Sequence, residues 1–125
     1  MRSLCTTILV SDGKSLTSLK RLCASAGTVL SVKEPAKLLS LDNASKGGTV
    51  IFLDYDRYRA AHAQLEKILY EFRQRFPAAV VVFVADRRYL GRASSLMSTG
   101  INFYVRKPFT VAEVRVVFLN AVRVC

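Results

Sequence analysis

Apolar residues fall along this chain in short unbroken runs that alternate five times with stretches of helical spacing. The runs cover residues 6–10, 28–32, 49–53, 79–84 and 102–105. The fourth of them, Val80-Val81-Val82-Phe83-Val84, contains no polar residue, as expected of a central strand covered on both faces. Between the runs, residues 14–26 place Leu16, Leu19, Leu22, Cys23 and Ala26 on one helical face, and Gly27 fits the C-cap. Pro35 opens a short helix through Leu38, Leu39 and Leu41, and Lys46-Gly47-Gly48 reads as a turn. Residues 60–75 form the longest helix, with Ala61, Leu65, Ile68, Leu69 and Phe72 inward and Phe76-Pro77 as its stop. A weaker helix over 88–99 carries Leu90, Ala93, Leu96 and Met97 and closes at Gly100. Thr110 caps a last helix from Val111 to about Val124.

Strand–helix alternation repeated in this way predicts an α/β domain with parallel strands, right-handed crossovers and helices on both faces of the sheet. Residues 1–125 make one domain of ordinary size. The last helix is apolar over more than one stripe. Val111, Val114, Val117, Phe118 and Ala121 face inward, and Val116, Leu119 and Val122 widen the face, which fits a dimer contact or a following domain.

Composition refines this picture. Apolar residues make up 51% of the chain, enough for a core. No run approaches the roughly 18 apolar residues needed to span a bilayer. Asp12 and Lys14 interrupt the N-terminal stretch too early for a signal peptide. The expected location is cytoplasmic, away from membranes. Three cysteines, Cys5, Cys23 and Cys125, are odd in number and far apart, which argues against a disulfide framework or a metal knuckle. Cys23 belongs to a core face. The net charge is +10, from 19 basic and 9 acidic residues. The basic residues are scattered, with short pairs such as Lys20-Arg21 and Arg87-Arg88. Two readings stay open: a solvated basic surface, or an anionic partner such as nucleic acid.

Candidate chemistry sits at the strand ends. Asp54 finishes the run Thr49-Val50-Ile51-Phe52-Leu53, and a carboxylate there is costly without a partner. Asp12 follows the first run, and Lys107-Pro108-Phe109 follows the last. In an open parallel sheet these carboxyl ends are where ligands bind. Two adjacent carboxylates favour a divalent cation, a lysine opposite them suits a phosphoryl oxygen, and an aspartate can be the nucleophile that forms an acyl phosphate. Asp56 either adds a third carboxylate or points to solvent. Arg57 and Arg59 either pair with Asp56 or take the place of a cation. His62 lies on a polar side of its helix and is assigned no role. There is no Gly-rich phosphate loop, no G-x-G-x-x-G and no Ser/His/Asp order. Asp54-Tyr55-Asp56 is similar to the D-x-D start of haloacid-dehalogenase phosphatases, but that motif belongs on a first strand and this one falls mid-chain.

Ile8-Leu9-Val10-Ser11-Asp12, Phe52-Leu53-Asp54, Gly100-Ile101-Asn102-Phe103-Tyr104 and Tyr104-Val105-Arg106-Lys107-Pro108-Phe109 together resemble the receiver domain of two-component response regulators, over nearly the whole chain. The resemblance implies a flavodoxin-like (βα)5 fold with a five-stranded parallel sheet in the order 2-1-3-4-5. It implies a phosphorelay signalling domain, not an enzyme, with Asp54 as phosphoacceptor and Lys107 binding the phosphoryl group. It further implies Mg²⁺ held by Asp12, Asp54 and the Asp56 position, a cis Lys107-Pro108 bond and a histidine kinase as partner. Homodimerisation through the face of the fourth helix, fifth strand and fifth helix is also implied. Three departures stand out. Ser11-Asp12 supplies one acid where receivers carry two, and helix phase favours Asp12 as the metal-facing one. Val84, followed by Ala85, replaces the hydroxyl residue that ends the fourth strand, while its aromatic partner is kept as Tyr104. Arg57-Tyr58 replaces the Met-Pro after the phosphoacceptor. These departures predict an atypical receiver with weak or absent phosphorylation. The alternative is a pseudo-receiver that works by dimerising or docking without phosphate.

Overall fold

The computed structural model describes residues 5–41, 48–97 and 100–124. Five parallel strands form one sheet: β1 (Thr6–Val10), β2 (Val29–Val32), β3 (Thr49–Asp54), β4 (Val80–Asp86) and β5 (Ile101–Lys107). Their order is β2-β1-β3-β4-β5, the doubly wound order expected from the sequence. β3 is the middle strand, and all six of its residues are buried. β4 lies between β3 and β5 and runs two residues past the apolar run, to Asp86. At the edge of the sheet, β5 buries only Val105 of its seven residues, and polar Asn102, Arg106 and Lys107 blunt it.

Strand alternation divides the core into two layers. Ile8, Val10, Ile51, Leu53, Val81 and Phe83 pack on one face, under Leu38, Leu65, Leu69, Phe72 and Ala93. Leu9, Val50, Phe52, Val82 and Val84 pack on the other, under Leu16, Leu19, Cys23, Val114 and Phe118. Burial pushes the Cys23 thiol up to about 11, so it behaves as a small apolar side chain.

The helices are more broken than their spacing suggests. Residues 14–26 give only a 3₁₀ turn, Thr17–Leu19, and α1, Lys20–Ala24. Side chains in and just before this turn bond locally instead: the Thr17 hydroxyl donates to the Gly13 carbonyl at 2.6 Å, and the Ser11 hydroxyl accepts from Gly13 N–H at 3.1 Å. Pro35–Ser40 is a 3₁₀ helix with proline in its first turn. The turn at Lys46-Gly47 lies outside the described residues. After β3 come α2 (Tyr55–Tyr58), a 3₁₀ turn (Arg59–Ala61) and α3 (His62–Arg75). After β4 come a 3₁₀ turn (Arg87–Tyr89), α4 (Leu90–Ala93) and a second 3₁₀ turn (Ser94–Met97). α5 (Val111–Val124) is intact and opens with a capping box: Glu113 accepts from Thr110 N–H at 2.9 Å, and Thr110 accepts from Glu113 N–H at 3.2 Å. Its exposed Val111 and Leu119 line a groove against Leu22, beside α1. Among the described residues no helix is long and apolar enough to cross a membrane.

Gly27 marks where β1 and the end of the first helical layer touch. It stands at φ +147°, and a Cβ there would lie 2.1 Å from the Cys5 carbonyl oxygen, while Cys5 N–H bonds the Ala26 carbonyl at 3.0 Å. Relief would require moving backbone against the sheet, so close approach, more than helix capping, explains this glycine. Gly27→Ala is expected to destabilise the protein by about 2–3 kcal/mol in urea unfolding. Gly91→Ala, inside α4 with nothing within 4 Å of its Cβ, is expected to be neutral or stabilising by up to about 1 kcal/mol.

Candidate functional site

The register β3↔β4↔β5 pairs Asp54 with Val84 and Asp86 with Lys107, so these ends share one rim. There the Lys107 ammonium lies 2.7 Å from Asp54 Oδ1 and 3.2 Å from Asp56 Oδ2. The Asp54 side chain is 5% exposed, so its charge has lost nearly all contact with water. Its other oxygen accepts from the Ser15 hydroxyl at 2.5 Å. Both Asp56 oxygens accept from the Asp86 N–H at 3.0 Å, which ties the end of β4 to the same cluster. Burial alone would push Lys107 down, but its hydrogen bond to Asp54 and the charges of Asp54 and Asp56 hold its ammonium above the ordinary value. The Lys107-Pro108 peptide bond is cis.

Asp12 is turned into its own loop. Its Oδ1 accepts from the N–H groups of Lys14 at 3.0 Å and Ser15 at 3.4 Å, and its Oδ2 lies 4.0 Å from Arg57 Nε. The Lys14 N–H bond, with smaller help from Ser15 and Arg57, holds its carboxyl below the ordinary range. Ser11 is buried, while Asp12 is exposed. Sequence patterning offered no sign of Ser15, which reaches Asp54 only because the loop turns at Gly13.

The arginines divide their work. Arg57 faces Asp12, and Arg59 Nη1 donates to the Asp56 carbonyl at 2.7 Å. The Asp56 side chain neither faces solvent nor meets an arginine; it faces Lys107 and Asp86 N–H. Mg²⁺ requires several oxygens free to converge on one point. Here the Asp54 oxygens are engaged by Lys107 and Ser15, the Asp56 carboxylate by Lys107 and Asp86, and the Asp56 carbonyl by Arg59. Among the described residues no three acidic, histidine or cysteine side chains form a group able to hold a metal ion, so Asp12, Asp54 and Asp56 do not converge as a ligand set. The donor set as folded does not fit the cation.

Val84 is fully buried in the layer beneath α1 and α5 and offers no hydroxyl to the rim, and neither does Ala85. Tyr104 is 54% exposed on β5. A polar chain on the other side of the rim was not foreseen. The hydroxyl of buried Tyr55 lies 2.7 Å from His62 Nδ1, and His62 Nε2 lies 2.9 Å from the Ser95 hydroxyl, which donates to the Arg92 carbonyl at 2.9 Å. One histidine tautomer satisfies all three: Nε2–H donates to Ser95, and Nδ1 accepts from Tyr55. His62, polar by helix position, therefore joins the residue after Asp54 to the segment following β4.

No protein-family model matches the chain, and no curated protein matches it. Solved structures do. The receiver domain of NtrX from Brucella abortus is 16% identical, aligning over 96% of this chain and 99% of its own with a TM-score of 0.73. A response regulator from Colwellia psychrerythraea is 16% identical over 96% of this chain and 97% of its own, with a TM-score of 0.68. A structure described as an adenylate cyclase from Rhodopirellula baltica is 14% identical over 98% of this chain and 89% of its own, with a TM-score of 0.72. Identities this low speak to architecture, and with the strand order they lead to one conclusion: this chain has the fold of response-regulator receiver domains.

Proposed function

We propose that the chain is a cytoplasmic, non-enzymatic, receiver-like signalling domain. Asp54 stands at its phosphoacceptor position, Lys107 at its phosphoryl-binding position, and Mg²⁺-dependent phosphorylation is weak or absent. The observation that supports this is the saturation of Asp54: one oxygen is held by Lys107 at 2.7 Å and the other by Ser15 at 2.5 Å. A phosphodonor has to displace both contacts, and the Asp56 carbonyl is meanwhile held by Arg59. At the end of β4, Val84 leaves no hydroxyl to stabilise a phosphoryl oxygen. The histidine kinase or other signalling protein that binds it reads surface contacts in this account.

Incubation with Mg²⁺ and acetyl phosphate or beryllofluoride, read by intact mass, is expected to give at most trace modification. Millimolar Mg²⁺ is expected to leave the thermal midpoint unchanged, whereas a site at ten times its Kd adds about 1.4 kcal/mol. Stoichiometric modification that Asp54→Asn abolishes overturns the reading.

The pair also sets a pH response. A lysine raised in the folded state contributes stability that is complete below its ordinary value of 10.5 and is lost as pH rises through the folded value. Lys107→Met is therefore expected to destabilise by about 2–3 kcal/mol at neutral pH, because it strands a buried carboxylate. That deficit should hold steady up to about pH 9 and shrink above about pH 10.5 in chemical denaturation.

A phosphorylation-independent homodimer through α4, β5 and α5 is the second reading. It rests on exposed Ile101 and Tyr104 on β5 and Val116 on α5, which is 62% exposed. Sedimentation velocity is expected to show a concentration-dependent dimer that Tyr104→Glu weakens and Leu119→Glu, in the groove beside α1, leaves intact. A strict monomer at high concentration, or the reverse pattern, removes this reading.

A further inference from the structure

The connections after β3 and β4 build a second surface that the acidic pocket does not use. Arg59, Arg87, Arg88 and Arg92 are exposed there, and Arg106, paired with Ala85 across β4 and β5, lies at the same rim. Two of these side chains are held in place. The guanidinium of Arg59 sits 4.6 Å from the centroid of the Tyr89 ring, and that of Arg88 sits 5.2 Å from it. Arg59 is also anchored to the Asp56 carbonyl, and Arg88 Nε to Asp86 Oδ1 at 3.1 Å. Each anchor engages one edge of a planar group with five N–H donors and leaves donors directed outward. Ordering them before binding lowers the entropy cost of a complex.

The local acids do not cancel this field. Asp54 and Asp56 face Lys107, and Asp86 faces Arg88. Six cations, the five arginines and Lys107, stand against these three carboxylates, within a chain of net charge +10. Two copies of this corner set against each other would bring like charge against like charge, which costs affinity. The choice of arginine matters as well. Its rigid fork matches phosphate oxygens in pairs, and it stacks on aromatic rings, whereas a merely solubilising surface has no need of ordered guanidiniums.

We propose that this arginine-rich corner, centred on the Arg59–Tyr89–Arg88 stack, is a docking surface for the phosphodiester backbone of a nucleic acid. The proposal goes beyond the receiver-like reading and does not depend on whether Asp54 accepts a phosphoryl group. Recognition is electrostatic and of the backbone, so it is salt-dependent and tolerant of sequence.

The test is fluorescence anisotropy of the full chain with a labelled oligonucleotide of about 20 residues, as a single strand and as a duplex, at roughly 50 to 200 mM salt. Binding to either is expected, with log K falling against log salt at a slope near −0.7 per neutralised phosphate for the single strand or −0.9 for the duplex. The triple change Arg87→Ala, Arg88→Ala, Arg92→Ala should lower affinity about tenfold or more and flatten the slope by about two. Lys20→Ala, Arg21→Ala, Arg115→Ala removes equal charge beneath the other face of the sheet and should cost about threefold or less. Should the first triple lose its cooperative melt, Arg87→Ala with Arg92→Ala leaves the Tyr89 stack in place and should still weaken binding more than the control. The proposal is overturned by no binding at the lowest salt, by equal loss in rim and control variants, or by poly-glutamate of matched charge competing as well as the oligonucleotide. The last result assigns the corner to an acidic protein.

Discussion

A carboxylate brought almost wholly out of water must find its compensation within the protein, and Asp54 finds it in Lys107. Separation of the two charges would leave Asp54 stranded at a cost of several kcal/mol, so the pair constrains everything near it. Lys107 reaches Asp54 because β3, β4 and β5 run parallel and side by side with their carboxyl ends level. The same ammonium draws in Asp56, which caps the Asp86 N–H and so fixes where β4 gives way to its connecting turn. Strand order and register thus bring the two charges together, and the pair in turn ties the loops after β3 and β4 to one rim.

That solution leaves little room for a mobile cation. The sequence supplies one acid after β1, and Asp12 spends it on its own loop and on Arg57. Ser15 and Arg59 fill positions on Asp54 and Asp56 with hydrogen bonds to the protein itself. The oxygens of the pocket are engaged by the protein's own donors where a divalent ion would otherwise serve. At the end of β4, a buried Val84 faces the core, and Tyr104 stands in solvent without a hydroxyl partner there. The Tyr55–His62–Ser95 chain offers a different physical connection, from the residue next to Asp54 to the turn after α4. Its hydrogen bonds are directional and short in reach.

Much of the fold was legible because parallel strands buried on both faces must be written as unbroken apolar runs. Runs such as Val80–Val84 have no other economical reading in a chain of this length. The helices were less legible. Their spacing marked many inward residues, with Leu16, Leu19, Cys23, Leu65, Leu69 and Phe72 all buried, but Val111, expected to face inward, is exposed at the first turn of α5. It did not show where the backbone would tighten into 3₁₀ turns. Side-chain hydroxyls and carboxylates at residues 11–17 compete for the same N–H groups that a helix would use, and periodicity is blind to that competition.

The sequence by itself determined most of the apolar core, the alternation of strand and helix, and the placing of Asp54 and Lys107 at strand ends, because those features are local and follow from hydropathy and period. Tertiary structure alone decided who meets whom at the rim. Ser15 lies 39 positions from Asp54, and Ser95 lies 33 from His62. Whether the gap beside an acid is filled by a hydroxyl, an arginine or an ion depends on a few ångströms of loop path, and chain distance carries no information about that.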